Sequence, residues 1–540
     1  TGQPNVVSVE EEAQIAQKLR DADAPVSVAE TQMHYLPCGA HRGNEALEQA
    51  RTDSFHAFGL ARLVYFNPSV CRSYSEVYDE AAAAGALQRD ATGQPFTYTS
   101  FVGGSGPLGF TLEPLAQFDF TAPAAEQIYE RLVRAALAVG HDGFMEDFGE
   151  NTPPMVSAAD GTPGEQLHNR YPTDYHCAVR RIQERFERPI VRFQRSGWTS
   201  AAACADVVWG GDPTTVWGYD GLQSAVRQAL SMGLSGVARW GSDIGGYHSF
   251  GPDEQLSEEM LKRWIEFGAV SAVMRTKRSG LAVPSYDRPQ VFDDEILPVW
   301  RRYTKLHTQL NAYLLGADAQ YRATGMPIMR ALALVFPREE ALAGVEDAFM
   351  LGDALLAAPV VEEGATKRSV ALPAGRWVDL SQAFEHGSGG LALRRPRVLQ
   401  GGRVAEIAAP LDVLPLFARA GALVALLEPD VDTLAPYGTG VVHATDRAGR
   451  MRILAFPRGR SAGRFNAGER LAGVESSRGW TLRVSGERVR TYRLQAAFAT
   501  LRRPFRPCAV RGARAWSFRG GVLRVTFRTK RGSVTVLRRC

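Results

Sequence analysis

The sequence predicts an α/β protein: a parallel (β/α)8 barrel, expected to lack its first strand, followed by C-terminal β-sandwich modules. Three observations carry this expectation. Up to about Gln320, amphipathic helices alternate with short apolar strands, the rhythm of a parallel barrel. Beyond Pro327 the helical period vanishes. Short alternating runs such as Ser369-Val370-Ala371-Leu372 and Arg376-Trp377-Val378-Asp379-Leu380 then follow one another between Pro and Gly turns. Finally, one apolar strand in the first part runs into His141-Asp142-Gly143-Phe144-Met145-Glu146-Asp147-Phe148-Gly149-Glu150, so that carboxylates stand at its C-terminal end. In a parallel barrel that end is the reactive face.

Taken in order, Ser8-Val9-Glu10-Glu11 reads as a capping box, opening a helix with Ile15, Ala16 and Leu19 on one face and Pro25 beyond its end. Residues 26–35 alternate as a strand. A second helix over residues 44–58 leads through Gly59 to the strand Ala61-Arg62-Leu63-Val64-Tyr65-Phe66, closed by Asn67-Pro68. Residues 91–120 lack a helical period, are rich in Gly, Thr, Phe and Pro, and are read as an insertion, a hairpin over the barrel mouth. An amphipathic helix over residues 121–139 carries Ile128, Leu132, Ala136 and Val139 and stops at Gly140, just before the acidic strand. Further strands are expected within residues 189–196, 206–212, 236–247 and 269–277, separated by helices through Tyr175 and Leu222. A long helix bearing Trp300, Tyr303, Leu310 and Leu314 follows. These are seven strand candidates where a barrel needs eight, and the residues before Ser8 are too few for the missing one, so the chain is expected to be incomplete at its start. An open barrel would leave two strand edges unpaired.

Composition narrows the function classes. A chain of 540 residues exceeds one compact core. The segmentation expected is a barrel over residues 1–326, a proximal sandwich over 327–425 and a distal one over 426–540. A formal charge of +4 argues against a nucleic-acid binder, and no apolar run reaches the length of a membrane span. Arginine is heaviest after Leu501, which reads as a basic patch or as the signature of a genome rich in G and C. The six cysteines lack Cys-x-x-Cys spacing, so zinc and redox motifs are unsupported, and no metal or cofactor is expected. Cys508 and Cys540 share the terminal domain and either bridge or stay free.

Strand alternation puts Asp147 on the side of Met145 and Gly143, with Asp142 and Glu146 on the other. Asp147 is therefore the candidate reactive carboxylate. Asp147-Phe148-Gly149-Glu150 after Asp142-Gly143-Phe144 resembles the nucleophile strand of glycoside hydrolase family 31. Arg195-Ser196 resembles the arginine-serine strand end of that family. Trp209-Gly210-Gly211-Asp212 resembles its acid/base motif, Asp243-Ile244-Gly245-Gly246 its substrate loop, and Met274-Arg275 its final barrel strand. The stretch from Pro410 to Gly421 resembles the linker into its C-terminal sandwich. These motifs occur in family order, and the last hundred or so residues stay unassigned.

The resemblance implies a retaining α-glycosidase acting on a carbohydrate. Retention needs two carboxyl groups about 5 Å apart, a nucleophile and an acid/base. Asp147 and Asp212 are the expected pair, with Arg195 or Arg275 keeping Asp147 ionised and the Trp209 and Trp217 walls raising the pKa of Asp212. Arg195, Asp243 and Arg275 suit sugar hydroxyls, and Trp209, Trp240 and Tyr247 are expected to line the sugar site. His34 and His141 are expected to be structural. Two departures bear on substrate. Lys277 stands where the family usually carries histidine, and the strand over residues 26–35 offers only Glu30 for the usual aspartate. Lys277 and Arg239 together suggest an acidic or sulfonated glycoside, unless Lys277 pairs with Asp243 or Asp147. Tyr247 after Gly-Gly is similar to sulfoquinovoside-cleaving members, whereas an α-glucoside is the commoner family substrate.

Overall fold

The computed structural model describes residues 8–103, 110–384 and 390–540. It comprises two compact units. One takes in Thr1–Lys18, Ser27–Gly211 and Ala435–Val441, the other Leu19–Val26, Asp212–Leu434 and Val442–Cys540.

The chain opens on α1 (Val9–Asp21), whose first turn is capped by Ser8 Oγ accepting from the Glu11 amide at 3.1 Å. Next come β1 (Val28–His34), α2 (Glu45–Ala57), β2 (Ala61–Phe66), β3 (Ser69–Cys71), α3 (Ser75–Ala83), β4 (Thr97–Gly103) and β5 (Phe110–Gln117). They are followed by α4 (Pro123–Ala138), β6 (Gly143–Glu146), α5 (Gly164–Glu184), β7 (Val191–Gln194) and β8 (Val207–Trp209). In the first unit β1, β2, β6, β7 and β8 form one parallel sheet in that order, with Tyr65, Met145 and Phe193 in register. Strands β4 and β5 form the antiparallel hairpin expected within residues 91–120, and β3 extends it to three strands. The tip of that hairpin, residues 104–109, lies outside the described residues.

Alternation along the parallel strands produces two cores. Val64, Phe66 and Phe144 pack outward against Leu132 and Val133 of α4 and Tyr175 and Val179 of α5. Leu63, Met145, Phe193 and Trp209 form a smaller cluster on the opposite face. Each such side chain fully buried contributes about 1.5–3 kcal/mol, so the register that points Asp147 with Met145 is fixed by packing on both faces.

In the second unit, α6 (Leu222–Leu234) precedes β9 (Trp240–Gly241), β10 (Asp243–Ile244), β11 (His248–Phe250), α7 (Glu258–Gly268), β12 (Arg275–Thr276), β13 (Leu281–Val283) and α8 (Leu297–Thr324). Here β10 pairs in parallel with β12, and β11 with β13. The strand expected from Ala269 is corrected: Ala269 is the C-cap of α7, and only Arg275 and Thr276 are extended. Helix α7 starts at Ser257, whose Oγ accepts from the Met260 amide at 3.2 Å, and it buries Met260, Leu261, Trp264, Ile265 and Phe267. The apolar run after Gly268 looks strand-like in sequence because the end of this helix hides its period.

The C-terminal half is β, as expected. A six-stranded sheet includes Phe349–Leu351, Leu355–Ala357, Arg376–Asp379 and Leu416–Arg419, with the pair Lys367–Leu372 and Arg403–Ala408 beside it in a core containing Met350, Val370, Trp377 and Phe417. An eight-stranded sheet follows, built on the long antiparallel pair Gly479–Ala497 and Val522–Leu537 around Trp480, Tyr492 and Phe527. All six cysteines are bridged, Cys38 to Cys71, Cys177 to Cys204 and Cys508 to Cys540. Among the described residues no helix is long and apolar enough to cross a membrane.

Candidate active site

Asp147 follows β6 directly, and its amide donates to the Phe66 carbonyl at 3.0 Å, which fixes where the carboxylate leaves the sheet. The residue is 9 % exposed. Tyr65 Oη donates to its Oδ2 at 2.5 Å, the Phe148 amide donates to its Oδ1 at 2.9 Å, and an Arg195 guanidinium nitrogen lies 3.1 Å from Oδ1. Burial, then the Asp147 charge, push the Tyr65 phenol well above its ordinary range, so it stays a proton donor. Donors and a cation both favour the ionised carboxylate. Arg195 also pairs with Glu150 and lies 4.3 Å over the Phe148 ring.

The turn after Asp147 is strained. Phe148 has φ +59°, a left-handed conformation costing a non-glycine residue roughly 1–2 kcal/mol. A buried chain holds it there. Ser196 Oγ donates to the Phe148 carbonyl at 2.7 Å, and the His176 ring bridges Ser196 and Glu146, with Nε2 2.9 Å from Oγ and Nδ1 2.7 Å from Oε2. Arg192 donates to the other oxygen of Glu146 at 2.5 Å. Glu146 and His176 are fully buried. The two parities of one strand thus divide the labour: Asp147 faces the inner cluster, while Glu146 turns to α5 and anchors the turn.

Among the other expected residues of this unit, Trp209 is 3 % exposed and packs edge-on to Phe193 at 5.1 Å. His34 stacks on Tyr65 at 3.8 Å, and burial pushes the His141 imidazole down to about 3, with Arg62 adding to the effect.

In the second unit, Asp212 precedes Pro213, whose carbonyl accepts from the amides of Tyr247 at 2.6 Å and His248 at 3.1 Å. The Asp212 turn and the Gly245-Gly246 loop are thereby tied together. Gly246 has φ +72°, and a Cβ there would stand 2.6 Å from the Thr214 carbonyl, so the close approach requires glycine. Arg288 secures the loop from the other side, donating to the Gly245 and Gly246 carbonyls at 2.8 and 2.5 Å. Burial pushes the carboxyl of Asp220 up, an effect opposed by His248 and reinforced by Asp212.

Asp243 is fully buried and in register with Arg275, which is ion-paired to it. Lys277 Nζ lies 3.7 Å from the second oxygen of Asp243 and 4.4 Å from the centre of the Tyr247 ring. Lys277 therefore pairs with Asp243, one of the two partners foreseen. Arg239 is engaged by Asp318 of α8 at 2.7 Å, so the expected contribution of Arg239 to a cationic pocket is withdrawn. Trp240 is 1 % exposed and packs against Phe267 of α7.

Sequence reasoning missed Tyr65, His176, Arg192 and Arg288. Only Tyr65 carried a local signal, since alternation from Leu63 turns it to the Asp147 side.

The comparisons with known proteins agree with these motifs. A model of the glycosyl hydrolases family 31 TIM-barrel domain matches residues 3–317, and one of the family 31 C-terminal domain matches residues 325–424. A sulfoquinovosidase of Agrobacterium fabrum is 31 % identical over 338 residues, covering 61 % of this chain and 49 % of the relative. A sulfoquinovosidase of Escherichia coli is 30 % identical over 377 residues, covering 69 % and 51 %. The chain thus spans about half the length of these relatives. A structure of the cycloalternan-forming enzyme from Listeria monocytogenes, in complex with a pentasaccharide substrate, superposes with a TM-score of 0.80 at 20 % identity, over 98 % of this chain and 53 % of that one. With a barrel model covering more than half of its residues and the acidic strand, the glycine loop and the β modules in family order, the chain belongs to glycoside hydrolase family 31.

Proposed function

We propose that the protein is a retaining α-glycoside hydrolase acting on the terminal sugar of an α-glucoside-type substrate. The observation that carries this is the state of Asp147: a nearly buried carboxylate at a strand end, held between the Tyr65 hydroxyl at 2.5 Å and the Arg195 guanidinium at 3.1 Å. That is an ionised, oriented nucleophile. In the first step an Asp147 oxygen bonds to the anomeric carbon, the bond to the leaving oxygen breaks, and Asp212 delivers its proton to that oxygen. In the second, Asp212 takes a proton from water, the water oxygen bonds to the anomeric carbon, and Asp147 leaves as a carboxylate. Two inversions give retention. Arg195, Asp243, Arg275, Lys277 and Tyr247 bind the sugar in this reading, with Trp209 and Trp240 as its apolar walls. No cofactor enters the chemistry.

Hydrolysis of an aryl α-glucoside by the wild type, Asp147→Ala and Asp212→Ala tests the proposal, with NMR to identify the anomer released first. Asp147→Ala should be inactive. Asp212→Ala should lose about 10²–10⁴-fold on a poor leaving group and less on a good one. Undiminished hydrolysis by either variant, or inversion, overturns the assignment.

A second reading, cleavage of a sulfonated or otherwise acidic α-glycoside, draws its support from the similarity to known proteins and not from Lys277, which pairs with Asp243. The two relatives that are sulfoquinovosidases, 31 % and 30 % identical to this chain, carry it. Turnover of a glucoside against its sulfonated analogue decides between the readings, and a strong preference for the neutral sugar removes the second.

A further inference from the structure

The formal charge of the chain is unevenly distributed. Residues 442–540 hold 24 arginine and lysine residues against 4 aspartate and glutamate residues, a charge of +20 in a chain whose total is +4. The remainder is therefore at −16. Among residues 442–540, 18 of the cations are exposed, and of the acids only Asp446 and Glu487 are.

Sheet register gathers part of this charge on one face. Arg464 lies opposite Arg470, Arg470 opposite Ser485, and Ser485 opposite Arg531, a single row across four strands whose neighbours Leu471, Val484 and Val534 point into the core. Arg483, two residues from Ser485, adds to the same outward face. Like charges directly opposed across strands destabilise a sheet, so folding does not account for Arg464 beside Arg470. Among the described residues, no acidic side chain forms an ion pair with Arg464, Arg470, Arg483 or Arg531. A cavity of about 300 Å³ opens beside the row, lined in part by Arg419, Arg458, Arg460 and Arg464.

From this geometry we infer a second, non-catalytic binding surface for an acidic polysaccharide, a glycan chain bearing carboxylate or sulfate groups. Guanidinium forks pair with such groups bidentately. Spaced charges on a polymer match spaced arginines on a sheet, and release of the polymer's counterions drives the association. The acidic remainder of the chain repels the same polymer. A glycan is favoured over a nucleic acid because the chain belongs to a glycosidase family and its three disulfides fit an oxidising compartment.

The test compares the intact chain with a variant carrying Arg464→Gln, Arg470→Gln, Arg483→Gln and Arg531→Gln. Binding to polygalacturonate, dextran sulfate, neutral hydroxyethyl cellulose and a 20-base-pair DNA duplex is measured at matched ionic strength. The wild type should bind at least one of the two acidic polysaccharides in preference to the neutral polymer and the DNA. The variant should bind at least tenfold more weakly, with a shallower salt dependence, while its melting temperature is equal to or above that of the wild type, as relief of like-charge repulsion requires, and its aryl glycosidase rate is unchanged. The pair of acidic polymers separates carboxylate from sulfate recognition. Equal binding by the variant, no binding by the wild type, or tighter binding to DNA than to either acidic polysaccharide overturns the inference. Loss of glycosidase activity in both proteins would bear on the proposed function and leave this reading standing.

Discussion

The hydroxyl of Tyr65 on β2 donates to Oδ2 of Asp147 just beyond β6, two side chains 82 positions apart brought to 2.5 Å by the parallel register of Tyr65 with Met145. The phenol holds its proton because burial and the neighbouring carboxylate push its pKa far up. Tyr65→Phe removes a donor to the Asp147 carboxylate, the proposed nucleophile. We expect kcat/KM to fall roughly tenfold, the worth of one charge-assisted hydrogen bond, and the acid limb of the pH profile to move upward. An unchanged acid limb would show that groups other than Tyr65, such as Arg195 and the Phe148 amide, set the state of Asp147.

The Glu146, His176, Ser196 chain ends on the carbonyl of Phe148, whose backbone would otherwise relax from φ +59°. Ser196→Ala is expected to lower kcat with little change in KM, since the proposed nucleophile would be misplaced while the proposed sugar contacts persist. His176→Phe leaves Glu146 and Arg192 imperfectly satisfied in the core and should destabilise the fold by about 1–3 kcal/mol. A parallel rise in KM and fall in melting temperature, with kcat intact, would assign the chain to stability alone.

Glu266 on α7 is fully buried, and desolvation pushes its carboxyl from an ordinary 4.5 to about 8. Arg263, at 3.2 Å, pulls the other way but also serves the carbonyls of Ala365, Ala409 and Pro410. A carboxyl with a raised folded-state pKa holds its proton more tightly in the native protein than in the unfolded chain. Its contribution is complete below pH 4.5 and is lost as the pH rises through about 8. Denaturant melts should therefore show Glu266→Gln gaining on the wild type between pH 5 and 8. A constant difference across that range contradicts a protonated Glu266.

The three bridges close loops spanning sequence separations of 33, 27 and 32. Chain-entropy reasoning gives each about 3–4 kcal/mol against the reduced chain, so a reductant should lower the melting temperature markedly. Alkylation without reduction should label no thiol, and intact mass should rise by two hydrogens per bridge on reduction. A labelled thiol in the unreduced, denatured protein refutes the pairing.

What the sequence by itself determined is what local periodicity and ordered motifs encode. Alternation along residues 142–147 separated Asp147 from Glu146 before any fold was known, because strand side chains repeat every two residues. The run of Asp147, Asp212, Asp243 and Arg275 in motif order named the family. The same local reading extended the strand at Arg275 back into the end of α7, where apolar residues suit either period. Tertiary structure alone decided the partners. Tyr65, His176 and Arg192 lie on three separate elements, and nothing in their spacing says that they converge on one acidic strand. Lys277 comes within reach of Asp243 through the pairing of β10 with β12, a neighbourhood that their spacing in the sequence does not display. Six cysteines allow many pairings, and only the folded distances select three. Periodicity constrains a residue against its near neighbours, whereas a partner across many positions is set by register and burial, which exist only once the chain has closed on itself.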